Sequence, residues 1–106
     1  MRIFNLPRGA GKTTRMLYAS EFTKSPILCS NQCVKNKILD KARILDIDIP
    51  EPITVSELLG GSKTKETNDI LVDEALSVLC ELIRQSSGRT VSGIAFSDEN
   101  NTEIVQ

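Results

Sequence analysis

The stretch Leu6-Pro7-Arg8-Gly9-Ala10-Gly11-Lys12-Thr13 constrains the fold of this chain more than any other. It follows a short apolar segment, Arg2 to Leu6, that reads as a first strand. A helical pattern comes after it, from Lys12 to about Thr23, with Met16, Leu17, Ala19 and Phe22 as its expected buried side. Gly9 and Gly11 have no Cβ, so the backbone between strand and helix can wrap tightly and turn its N–H groups inward. This opens an alternation of short apolar and amphipathic stretches that argues for an α/β fold with a mostly parallel sheet.

The alternation continues along the chain. Pro26 separates the first helix from a second strand, Ile27-Leu28-Cys29. Ser30 or Asn31 can cap a helix running to about Leu45, with Val34, Ile38, Ala42 and Leu45 as its buried stripe and Lys35, Lys37, Lys41 and Arg43 off it. Ile53-Thr54-Val55 reads as a third strand leading into Ser56-Glu57-Leu58-Leu59 and a Gly60-Gly61 stop. Residues 62–69 form a polar loop. Ile70-Leu71-Val72 is a fully apolar strand ending on Asp73-Glu74. The helix from Ala75 to about Gln85 is expected to bury Ala75, Val78, Leu79, Leu82 and Ile83, with Gly88 placed to end it. Val91 to Phe96 supplies a last strand, and a polar tail from about residue 98 ends in a weak apolar pair, Ile104-Val105.

The glycine turn is suited to phosphate. Its N–H groups and the partial positive charge of the following helix face the same anion. Lys12 is positioned to neutralise β- and γ-phosphates, and the Thr13 hydroxyl to ligate Mg²⁺. The expected binding segment is Arg8, Gly9, Ala10, Gly11, Lys12, Thr13 and Thr14. The full pattern GxxxxGK[ST] calls for glycine where Leu6 stands, so the match is incomplete at its first position.

The acidic strand end supplies the complementary half. An apolar strand would deliver Asp73 to the carboxyl edge of the sheet, where open α/β folds bind ligands. There Asp73 can hold Mg²⁺ directly or through water, and Glu74 can orient and deprotonate an attacking water. The plainer alternative is that Asp73 caps the following helix and Glu74 suits its first turn. The glycine turn upstream favours the functional reading.

Composition narrows the setting. With 106 residues the chain has room for one domain and none for a large accessory one. Its 40% hydrophobic and 25% charged residues are ordinary for a soluble globular domain, and a net charge of −1 gives no global pull toward nucleic acid or membrane. Three cysteines without a CxxC pair, and no histidine, argue against a disulfide framework or a zinc site. The amino-terminal apolar stretch is too short for a signal-peptide core or a membrane span, so a cytoplasmic protein is expected.

Together the two motifs resemble P-loop NTPases of the additional-strand, catalytic-glutamate class, which includes RecA-like ATPases, helicases and phage terminase motors. Pro7-Arg8-Gly9-Ala10-Gly11-Lys12-Thr13-Thr14-Arg15 is similar to the phage and helicase form of the Walker A loop, in which the first glycine is frequently lost. Ile70 to Glu74 is similar to a Walker B segment. The resemblance covers residues 2 to about 97 in layout, with about a dozen specific residues. It implies a single minimal P-loop domain over residues 1–106, a three-layer α/β/α sandwich with a mostly parallel sheet of about five strands. It also places the strand Val91–Phe96 between the P-loop and Walker B strands. Ser97 or Asp98 then stands where relatives keep a γ-phosphate sensor, unless the strand simply ends in a turn there.

The implied activity is binding of ATP, or another NTP, with Mg²⁺ and slow hydrolysis. Lys12 and Glu74 would be catalytic, with Thr13 and Asp73 on the metal. The setting would be an accessory or subunit in phage-type DNA metabolism, in the host cytoplasm if phage-encoded. An arginine finger would come from Arg8, Arg15, Arg84 or Arg89, or from a protein partner or a second copy. Two other readings stay open: a non-catalytic nucleotide-binding or inhibitor module acting through a protein partner, and a small nucleotide kinase. DNA binding rests on family analogy alone. Asp40, Asp46 and Asp48 interleave with the lysines of the second helix, and a solvated helix face is the commoner reason for such a pattern.

Overall fold

The structure, a computed structural model, describes residues 2–4, 11–61, 69–95 and 103–105. In chain order the elements are β1 (Arg2–Phe4), α1 (Lys12–Thr23), β2 (Ile27–Cys29), α2 (Gln32–Ile44), β3 (Ile53–Thr54), α3 (Val55–Leu59), β4 (Leu71–Val72), α4 (Ala75–Ser87) and β5 (Glu103–Val105). The chain is a small α/β protein built on a three-stranded parallel sheet of order β3-β2-β4.

β2 is the middle strand, and its composition follows from that place. Ile27, Leu28 and Cys29 are all buried, because a central parallel strand is covered on both faces and has no reason to alternate. Its side chains still point alternately to the two faces, and each face has its own core. Ile27 and Cys29 pack with Met16 and Leu17 of α1, Ile38 and Ala42 of α2, and Ile47. Leu28 packs with Ile53, with Val55 of α3 and with Val78 of α4. Helices therefore cover both faces of the sheet.

Local chemistry sets the helix ends. Asn31 caps α2, its side chain accepting from the Val34 N–H at 3.0 Å. Thr54 and Glu57 form a reciprocal capping box on α3, and Gly88 ends α4 in the left-handed region at φ 74°. α1 ends with Lys24 also left-handed, at φ 62°, its N–H donating to the Ser20 carbonyl at 2.9 Å. Ser20 is fully buried and its hydroxyl donates to the Ser25 carbonyl at 2.6 Å, fastening the turn into β2.

Several expectations need correction. Residues 91–95 form no strand and are largely exposed, while Phe96 lies outside the described residues. Ser92 and Gly93 interrupt the apolar run and weaken its preference for extended pairing. Glu103–Val105 does form a strand within the expected polar tail, parallel to β1 with Ile3 opposite Ile104. Among the described residues the strands form two ladders, β1-β5 and β3-β2-β4. Among the described residues β4 pairs with β2 alone, and Ile70 and Val72 are 40% and 41% exposed, so this apolar strand is less buried than its composition suggests. On α1 the buried positions are Met16, Leu17 and Ser20, and Phe22 is 81% exposed. Leu45, Ala75 and Leu79 also face outward, whereas Lys35 is buried.

Candidate functional site

The amino end of α1 and the carboxyl end of β4 meet. Gly11 takes the left-handed conformation at φ 83° as the N-cap of α1, which only glycine adopts without strain. Lys12 follows as the first helical residue, and Thr13 and Thr14 continue the first turn, all three half-buried. Arg8, Gly9 and Ala10 lie outside the described residues, as do Leu6, Ser97 and Asp98.

Across from them, parallel pairing fixes the end of β4. The Leu71 N–H donates to the Pro26 carbonyl at 3.0 Å and the Asp73 N–H to the Leu28 carbonyl at 3.1 Å. That ladder puts Asp73 at the carboxyl edge of the sheet, 6% exposed, even though the strand before it is half open. Its Oδ1 is buried and has no hydrogen-bond partner among the described residues. Burial pushes the Asp73 carboxyl above its ordinary value, and the neighbouring Glu74 charge adds to this. Lys12, the Glu74 backbone N–H and Lys41 pull in the other direction.

The helix-capping alternative for this pair finds no support. The N-cap of α4 is Glu74, at φ 57° and ψ 66°, and it makes no side-chain cap hydrogen bond. Its side chain instead reaches across to α1, where Oε1 accepts from Lys12 Nζ at 2.6 Å. Of the residues expected to act together, Lys12, Asp73 and Glu74 are therefore assembled at one place, from positions far apart in the chain.

A buried carboxylate oxygen without a donor calls for a proton or a cation. No cluster of three Asp, Glu, Cys or His side chains stands together among the described residues. A lone buried carboxylate is suited to a hard cation, while the neighbouring α1 N-terminus favours an anion.

A second charged cluster runs against the sequence pattern. Periodicity puts Lys35 off the buried stripe of α2, but its side chain is only 5% exposed. Its ammonium sits 3.0 Å from Glu57 and 3.3 Å from Glu51. Desolvation works against the charge, yet the hydrogen bonds to Glu57 and then Glu51 outweigh it, and the Lys35 pKa is raised. The legible signal is Thr54-x-x-Glu57, a capping-box spacing that fixes Glu57 at the start of α3.

Cys29 lies deep in the sheet, its thiol donating to the Ile53 carbonyl at 3.5 Å, and burial pushes its pKa up to about 11. It is an inert core residue. No helix among the described residues is long and apolar enough to cross a membrane. Comparison with known proteins adds no relative: no family model, curated protein or solved structure matches the chain.

Proposed function

We propose that this protein binds ATP, or another NTP, together with Mg²⁺ and hydrolyses it slowly, as a minimal P-loop core serving phage-type DNA metabolism. The observation that supports this most is the buried Asp73 Oδ1, without a hydrogen-bond partner among the described residues, beside the Lys12–Glu74 pair. A buried carboxylate oxygen with no donor beside it is suited to a cation.

In this reading Arg8 to Thr14 hold the phosphates, chiefly through backbone N–H groups and the α1 terminus. Lys12 neutralises charge on the β- and γ-oxygens. Thr13 and Asp73 would hold Mg²⁺, which would supply charge neutralisation at the phosphates. Glu74 takes the proton of the attacking water. The reading also implies that the two ladders belong to one RecA-like sandwich of about five strands, and that an arginine from a protein partner or a second copy speeds turnover.

The test is nucleotide binding and phosphate release by wild type, Lys12→Ala and Glu74→Gln, with and without single- and double-stranded DNA. Lys12→Ala should abolish binding. Glu74→Gln should bind nucleotide but release phosphate about a hundredfold more slowly. Normal binding with no turnover in any condition would sink the enzyme and leave a binding module. Unchanged affinity in Lys12→Ala would mean that the loop does not hold phosphate.

A further inference from the structure

On the reading above, Glu74 serves to face the attacking water. In the structure its side chain is engaged by Lys12. Its carboxylate holds Lys12 Nζ at 2.6 Å, on the ammonium that the phosphates would need. The contact is made from an unusual backbone. Glu74 sits in the left-handed region, where a non-glycine residue is disfavoured, and it leaves its own helix uncapped to reach Lys12. The Glu74 side chain is 58% exposed, which leaves it room to swing away from Lys12.

We propose that the Lys12–Glu74 ion pair is a built-in gate, in which Glu74 occupies the phosphate-binding lysine until an incoming nucleotide displaces it. This rests on the nucleotide-binding reading and adds a regulatory consequence to it. Two like charges compete for one ammonium, so the nucleotide binds more weakly than the loop alone would allow. Displacement then frees Glu74 at the moment when phosphates are in place. The residue that closes the site becomes available for the water only once the site is filled.

Two alternatives account less well for the geometry. A simple surface ion pair gains little and would not repay a left-handed backbone. A capping role for Glu74 is absent, since its side chain makes no such bond.

The experiment measures affinity for Mg²⁺ with ATPγS and with GTPγS by calorimetry in wild type, Glu74→Gln, Glu74→Gly and Lys12→Ala. Acetylation of Lys12 in the nucleotide-free proteins is followed by mass spectrometry alongside. Glycine accepts the positive φ, so Glu74→Gly keeps the test usable if the glutamine variant folds poorly. The gate predicts that both Glu74 variants bind nucleotide about tenfold more tightly than wild type, and that Lys12 is acetylated faster in them. Equal affinities and equal acetylation rates in wild type and the Glu74 variants overturn the gate. If Lys12→Ala still loses binding in that case, the nucleotide site stands without it. Absence of binding in all four proteins overturns both readings. Faster acetylation with unchanged affinity also overturns the gate, because the pair then exists without controlling the ligand.

Discussion

Lys35 on α2 and Glu57 on α3 are joined by an ion pair of 3.0 Å, and Glu57 simultaneously accepts from the Thr54 N–H at 3.0 Å. One carboxylate thus closes the capping box and neutralises a buried ammonium. Lys35→Ala should destabilise the protein by about 2 kcal/mol, since it leaves Glu57 and Glu51 without their counter-charge and removes a buried stem. Urea unfolding of the two proteins checks this. A change under about 0.5 kcal/mol, the range of ordinary surface substitutions, would mean that the pair is loose in solution.

The same cluster sets a pH dependence. The Thr54 backbone N–H, then Lys35, hold the Glu57 carboxyl below its ordinary value of 4.5. A depressed carboxyl stabilises the fold above that ordinary value, and the contribution is lost as pH falls through the folded one. Glu57→Gln should therefore flatten the acid limb of the stability profile below about pH 4.5. Melting temperatures between about pH 3 and 6 read this out, and an unchanged acid slope would refute it.

Asp73 has the opposite sign. Burial raises its carboxyl above the ordinary 3.8, so the folded state holds the proton more tightly than the unfolded chain. Its contribution falls as pH rises from about 3.8 through the folded value. Asp73→Asn should be more stable than wild type at neutral pH without divalent cation, by about 1 kcal/mol, while losing Mg²⁺-dependent nucleotide binding. Calorimetric melting in chelator checks the first half. A less stable variant would mean that the carboxylate is satisfied in some other way.

Thr54→Ala should cost about 1 kcal/mol through the lost hydroxyl acceptor of the capping box, with Thr54→Ser recovering most of it. Chemical denaturation of the three proteins decides.

The cysteines should separate by accessibility. Cys33 is exposed, Cys80 partly so and Cys29 buried. A thiol reagent should modify Cys33 first and reach Cys29 only on unfolding, because that thiol is both covered and held at a pKa of about 11. Labelling of Cys29 at the rate of Cys33 would contradict its place in the core.

The local features of this protein are legible in the chain itself. The Gly11 turn, the run of α1 from Lys12, the Asn31 cap, the Gly60 and Gly88 stops and the apolar strand Ile27–Cys29 follow from residue-level preferences and short spacings. So do the members of the candidate site: Lys12, Asp73 and Glu74 are marked by their types and by their places beside a helix start or a strand end. Pairing is not legible, because a parallel strand finds its partner through distant contacts that leave no local trace. That is why Val91–Ala95 forms no strand while Glu103–Val105 joins β1, and why apolar Phe22 faces water while Lys35 is buried. The tertiary structure alone decided that Glu74 lies on Lys12 and that Asp73 Oδ1 is left without a donor among the described residues. Both depend on the distance between a helix start and a strand end, which the packing of helices on the sheet sets and no sequence spacing encodes.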